Sequence, residues 1–137
     1  MIKFLVDTNV LIRLIVKDDE SKFNAIVKLV KKIETNEMTL IVPTIVIAEC
    51  CWLLKSFYKL EKHLVSQYLI DIIESENVEA EEDMAIEALR IYSEKNVDFA
   101  DALLSVKCKR NVHVLTWDKK DFKSLNCEFL TPIDLIE

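Results

Sequence analysis

Apolar and polar positions alternate along the chain between short runs and longer stretches of helical period. Ile2 to Val6 is a short apolar run closed by Asp7, which predicts a buried strand. Val10 to Val16 is apolar and predicts a short helix. Asp18-Asp19-Glu20-Ser21 opens a second helix to about Thr35, with Phe23, Ile26, Val27, Val30 and Ile33 on one face. Thr39 to Val42 predicts the second strand. Pro43 then stands where a helix can begin, and the helical pattern runs to about Tyr58. Leu60 to Ser75 and Glu81 to Glu94 predict two more helices, the second with acids in its first turn, where the helix dipole favours them. Asp98 to Arg110 follows as a helix, Val112 to Thr116 as a strand, Lys119 to Ser124 as a helical turn and Glu128 to Leu130 as a last edge strand.

Apolar strands alternating with helices predict an α/β fold with a mostly parallel sheet covered on both faces. The strands are short and few. No linker, repeat or low-complexity segment breaks the 137 residues, a length that suits one compact domain.

Composition narrows the function classes. Hydrophobic residues make up 51%, enough for a core. The formal charge of −6 argues against a general nucleic-acid binder, which is normally basic. A local site of carboxylates remains compatible with that total, because a bound divalent cation reverses the local field. Glycine is absent, so no glycine-rich loop can cradle a phosphate, and P-loop and dinucleotide-binding readings fall away. Turns must use Asn, Asp, Ser and Lys. Cys50, Cys51, Cys108 and Cys127 form no metal-binding spacing and read as buried free thiols in a reducing cytosol. The opening segment lacks a secretory apolar region. The longest near-apolar run, Leu40 to Leu54, holds Pro43 and Glu49 and is too short to span a bilayer. A soluble, cytoplasmic protein is expected.

The carboxylates carry the candidate chemistry. In an open α/β sheet, ligands sit beyond the carboxyl ends of the strands. Asp7 follows the first strand at once, and Asp118 follows the Val112–Thr116 strand within two residues. Either alone reads as a turn residue; two acids at equivalent strand ends favour a site. Glu49 is the single charge between Ile41 and Leu54. A carboxylate in such a helix is costly to bury without a partner, and its apolar neighbours leave little room for an exposed stripe. A ligand or partner for Glu49 is therefore expected. Asp98 and Asp101 stand three apart at the head of a helix, on one face. Asp98 is a natural N-cap, which leaves Asp101 the functional role; a later helix start inverts the two. Four carboxylates at one edge repel unless cations neutralise them, and hard ions such as Mg²⁺ and Mn²⁺ take oxygen ligands. Such a site suits phosphoryl chemistry.

His63 and His113 lie far apart and make no zinc site. Trp52 and Trp117 read as core, although Trp117 adjoins Asp118. Arg13, Lys17, Lys107, Lys109 and Arg110 could meet phosphate but form no ordered stripe.

Four segments in order resemble the PIN-domain family, and within it the VapC-type toxins of prokaryotic toxin–antitoxin pairs. The resemblance spans nearly the whole chain. In FLVDTNVLIRL, Asp7 matches the first site acid and Asn9 the polar residue after it. In PTIVIAECCWLL, Glu49 matches the helical acid. In VDFADALLSVKCKR, Asp101 matches the acid before Ala-Leu. In VLTWDKKDF, Thr116 and Asp118 match the closing Thr-x-Asp, and Asp121-Phe122 the following pair. Asp121 is an alternative fourth ligand, because some relatives place the acid there. A glycine common before the last strand is replaced by Arg110-Asn111, and Asn tolerates the left-handed conformation.

The resemblance implies a three-layer α/β/α sandwich and RNA cleavage by a metal-activated water. Asp7, Glu49, Asp101 and Asp118 are then catalytic metal ligands, with Asn9, Thr116, Asp98 and Asp121 in support. It also implies a cognate antitoxin that blocks the site, and a homodimer. Two other readings compete. A haloacid-dehalogenase-like phosphatase also opens on strand–Asp and uses Mg²⁺, but wants a second aspartate where this chain has Asn9. A catalytically silent PIN-like module would bind RNA or protein without cutting, and the presence of all four acids speaks against a decayed site.

Overall fold

The computed structural model describes residues 2–137 and shows an α/β fold in which every strand pairing is parallel. The chain forms two compact units, residues 1–83 and 84–137.

In the first unit, β1 (Ile2–Leu5), β2 (Met38–Val42) and β3 (Val78–Ala80) form one sheet in the order β1-β2-β3. Two helices fill each crossover: α1 (Thr8–Ile15) and α2 (Glu20–Glu34), then α3 (Thr44–Ser56) and α4 (Lys62–Ile73). Parallel pairing demands such long connections. The core gathers Leu11, Ile12, Val42, Ile47, Leu54, Val65 and Leu69, all buried. Cover thins at the outer strand: all four residues of β1 are exposed, whereas Leu40 and Val42 of β2 are buried.

Several expected boundaries move. The first helix begins two residues before Val10, because Asp7 caps it: its carboxylate accepts from the Thr8 N–H at 2.7 Å. Strand β3 has no counterpart in the expected elements; its three residues are flanked by acids and offer too short an alternation to register. The helix expected from Glu81 starts only at Ala85. Glu81 and Glu82 instead serve α3, where the Thr44 N–H donates to Glu81 Oε1 at 3.2 Å and the Thr44 hydroxyl donates to Glu82 Oε2 at 2.6 Å. Pro43, the N-cap of α3, offers no side-chain oxygen, and the acids after β3 fill that need.

The second unit packs α5 (Ala85–Glu94) on α6 (Phe99–Cys108) around Leu89, Tyr92, Phe99, Ala102, Leu103 and Val106. A two-stranded sheet of β4 (Val114–Leu115) and β5 (Phe129–Leu130) brackets α7 (Lys119–Ser124), and α8 (Pro132–Ile136) closes the chain. Helix α8 was not expected from the pattern; Thr131 and Asp134 build a capping box for it, with Pro132 in its first turn.

The glycine-free chain makes its left-handed turns largely with asparagine. Asn36, Asn77, Asn111 and Asn126 have φ between 54° and 67°, and Lys59 joins them at 60°. The Arg110-Asn111 replacement noted above is thus a left-handed turn carried by Asn111. Cys50, Cys51, Cys108 and Cys127 are all buried free thiols, as expected. No helix among the described residues is long and apolar enough to cross a membrane.

Candidate active site

In the first unit the chain leaves all three parallel strands toward the same edge, at Asp7, Pro43 and Glu81. Asp7 is held at the head of α1 by its cap. The next residue, Thr8, is buried, and its hydroxyl donates to Glu49 Oε2 at 2.7 Å. Glu49 stands in the second turn of α3, so this bond ties the head of one helix to the side of another. A buried hydroxyl needs a partner, and a carboxylate accepting from it is fixed in direction. Thr8 was not singled out in the sequence; the signal was a small hydroxyl directly after the strand-end acid.

Glu49 has the partner expected of it, but for a different reason. It is exposed, and Ile45 and Trp52, at 70% and 66% exposure, share its side of α3. The helix therefore does present an exposed stripe, mostly apolar, and Glu49 interrupts it. Trp52 and Trp117, expected in the core, are both on the surface. The closeness of Asp7 and Glu49 registers at Cys50, whose thiol is pushed up to about 12 by burial and then by these two charges. Asp7, Thr8, Asn9 and Glu49 are among the residues that line a cavity of about 440 Å³.

In the second unit Asp101 lies in the first turn of α6, half-buried, and Asp118 caps α7. The Asp118 carboxylate accepts from the Asp121 N–H at 3.1 Å, while the Asp118 N–H donates to Thr116 Oγ1 at 2.9 Å. Thr116 thus fixes the backbone on which Asp118 is displayed, a physical reason for Thr two residues before Asp. Asp101, Asp118 and Asp121 each place a carboxylate oxygen within 4.8 Å of the others. Burial, then the charges of Asp98, Asp118 and Asp121, push the Asp101 carboxyl above its usual range. Asp121 is raised as well, by partial desolvation and by Asp118. Asp98 occupies the N-cap position of α6 without the side-chain cap bond expected of it, and contributes charge to Asp101 instead.

Three oxygen donors at this spacing fit a hard divalent cation, which offsets the mutual repulsion of the carboxylates. A model of the PIN domain matches residues 4–126. The chain belongs to the PIN-domain family. That match runs through both compact units and includes every candidate acid. PIN domains are in general nucleases that use divalent metals, so the chain is a nuclease-type protein acting on nucleic acid, and its acidic group is of the kind that binds a metal. The parallel sheet flanked by helices is the α/β sandwich of PIN domains. No curated protein and no solved structure matches the chain.

Proposed function

We propose that this PIN domain is a Mg²⁺- or Mn²⁺-dependent endoribonuclease hydrolysing RNA phosphodiester bonds, and the toxin of a VapBC-type toxin–antitoxin pair. The observation that carries the reading is the convergence of Asp101, Asp118 and Asp121, with oxygens within 4.8 Å of one another, in a member of a nuclease family. We assign metal binding to Asp7, Glu49, Asp101 and Asp118, with Asn9, Thr116, Asp98 and Asp121 in support; Asp7 and Glu49 enter by their match to the family's motif positions. When bound, the divalent ion acidifies a water for attack on phosphorus and offsets charge on the phosphate. The chain's own residues do the positioning: Thr8 orients Glu49, Thr116 sets the Asp118 backbone, and the Asp121 N–H holds Asp118.

The toxin reading is supported by a largely apolar groove of about 560 Å³ whose lining includes Leu14, Ile15, Val30, Ile33 and Ile72 together with the carboxylates of Glu34, Asp71 and Glu76. An antitoxin helix with apolar anchors at helical spacing fits such a groove. An arginine from the same partner would pair with the site carboxylates in bidentate fashion and compete with metal. We further propose a homodimer in the cytoplasm; the four buried free thiols support a reducing compartment.

The test is cleavage of an end-labelled single-stranded RNA with Mn²⁺, with EDTA, and with Asp7→Asn and Asp101→Asn. Cleavage should stop in EDTA, return with excess Mn²⁺ or Mg²⁺, and fall to background in both variants. Cleavage that survives EDTA overturns the metal assignment. RNA that binds but is never cut favours a silent binding module. Metal-independent binding of the antitoxin would rule out competition at the acids.

A further inference from the structure

Cys108 ends α6, and Cys127 stands just before β5. Both thiols lie against one acceptor, the Glu128 carbonyl oxygen, to which Cys108 donates from 3.3 Å and Cys127 from 3.7 Å. The same oxygen accepts the Val114 N–H at 3.1 Å. A carbonyl oxygen has two lone pairs and the amide is the stronger donor, so two weak S–H donors compete for what is left. The thiols also hydrogen-bond to each other. Burial and then this bond push the Cys127 thiol up to about 12.

Both backbones are fixed. Cys108 belongs to a helix, and the Cys127 N–H donates to the Phe122 carbonyl at 3.1 Å, directly after the left-handed turn at Asn126. Each of the two cysteines keeps 9% of its surface exposed. Cys50 and Cys51 make the contrast. They are 0% and 3% exposed, and neighbours on a helix point about 100° apart, so that pair is neither reachable nor aligned.

We propose that Cys108 and Cys127 are a redox pair, which a hydroperoxide converts to an intrachain disulfide that ties α6 to the segment carrying Asp118 and Asp121. One cysteine, as thiolate, attacks a peroxide oxygen; the O–O bond breaks, leaving a sulfenic acid and an alcohol or water. The second thiol attacks that sulfur, the S–S bond forms, and the S–O bond breaks with loss of water. The two thiols give up two electrons and two protons, and the peroxide takes up both. The high proton affinity of Cys127 slows the thiolate steps, so the pair stays reduced until peroxide persists. The free thiols are thus the resting state. The ring closed by the bridge includes β4, Asp118, α7 and Asp121, while Asp101 stands near the other end of α6. Because the thiols already share a hydrogen bond, bridging them leaves the acidic group in place.

The experiment treats the protein with hydrogen peroxide under native conditions, unfolds it in an alkylating agent, and maps its peptides without reductant. Peptides joined through Cys108 and Cys127 should appear, Cys50 and Cys51 should be alkylated, and dithiothreitol should reverse the change. The oxidised protein should melt roughly 5–10 °C higher, since the closed loop narrows the denatured ensemble. Cys127→Ala should melt alike before and after peroxide, whereas Cys50→Ala should still gain the shift. Four alkylated thiols after peroxide, a bridge that involves Cys50 or Cys51, or sulfinic acid at Cys127 in place of a bridge overturns the pair. A Cys108–Cys127 bridge that leaves the melting temperature unchanged overturns the bracing of α6.

Discussion

Asp101 is pushed toward its neutral form by burial and by Asp98, Asp118 and Asp121. Its native pKa lies above the unfolded value, so the folded state holds the proton more tightly. Its favourable contribution is complete below the unfolded carboxylate range and is lost as pH rises through the raised native value. Metal-free Asp101→Asn should therefore melt above the wild type at pH 7, and the two melting curves should converge as pH falls to about 4. Saturating Mn²⁺ should reverse the order, because only the wild type gains from binding. A variant less stable than wild type at pH 7 without metal would show that the acids are not in conflict. Asp98→Asn should leave Mn²⁺ affinity nearly unchanged. The placement of Asp98 at the N-cap position of α6 and of Asp101 in its first turn was legible from their three-residue spacing at a helix head. The expected hydrogen bond of Asp98 was not, because spacing gives a face and leaves the rotamer open. Glu49 was legible as an isolated charge; its exposure and its bond to Thr8 depend on how α1 meets α3, which no local pattern encodes.

Helix α3 carries Glu49, and its first turn is finished by side chains from far along the chain. The sequence assigned the acids at 81 and 82 to the helix after them, the natural inference when only local order is visible. Their bonds to Thr44 exist because β3 pairs with β2 and delivers them to the end of the neighbouring strand. Replacing Glu81 and Glu82 together by Ala should cost about 1–2 kcal/mol, the usual range for a lost helix cap. Amide hydrogen exchange locates the effect: protection should fall in Ile45, Val46 and Ile47 and stay intact in α5. Loss confined to α5 would restore the local reading. Strands β1 and β2 were readable from apolar runs bounded by turn signals. Strand β3 and the two-residue β4 and β5 are too short to impose a period, and pairing alone defines them.

At the scale of the molecule, a nuclease with 24 acidic against 18 basic side chains must receive a polyanion. Long-range repulsion opposes the encounter, and salt screens it: the Debye length falls from about 30 Å at 0.01 M to about 8 Å at 0.15 M. At fixed saturating Mn²⁺, kcat/KM for a short RNA should rise as monovalent salt increases over that interval, opposite to the loss seen with basic nucleic-acid binders. A steep fall would mean that a local basic surface governs the encounter. The α/β class and the parallel pairing were visible in the alternation of elements. The edge-strand exposure of β1 was not, since an apolar run looks the same in a central strand and at a margin.

The asparagine turns have a consequence for the state the protein leaves when it folds. Glycine widens the denatured ensemble more than any other residue, and each replacement by a residue that tolerates the native angles stabilises by about 0.4–1 kcal/mol. A chain with no glycine starts from a narrower ensemble, and asparagine at 36, 77, 111 and 126 supplies the left-handed angles without reopening it. Folding then forfeits less disorder per residue, so the calorimetric entropy of unfolding should sit below the common value of about 2.1 cal/mol/K per residue near 60 °C.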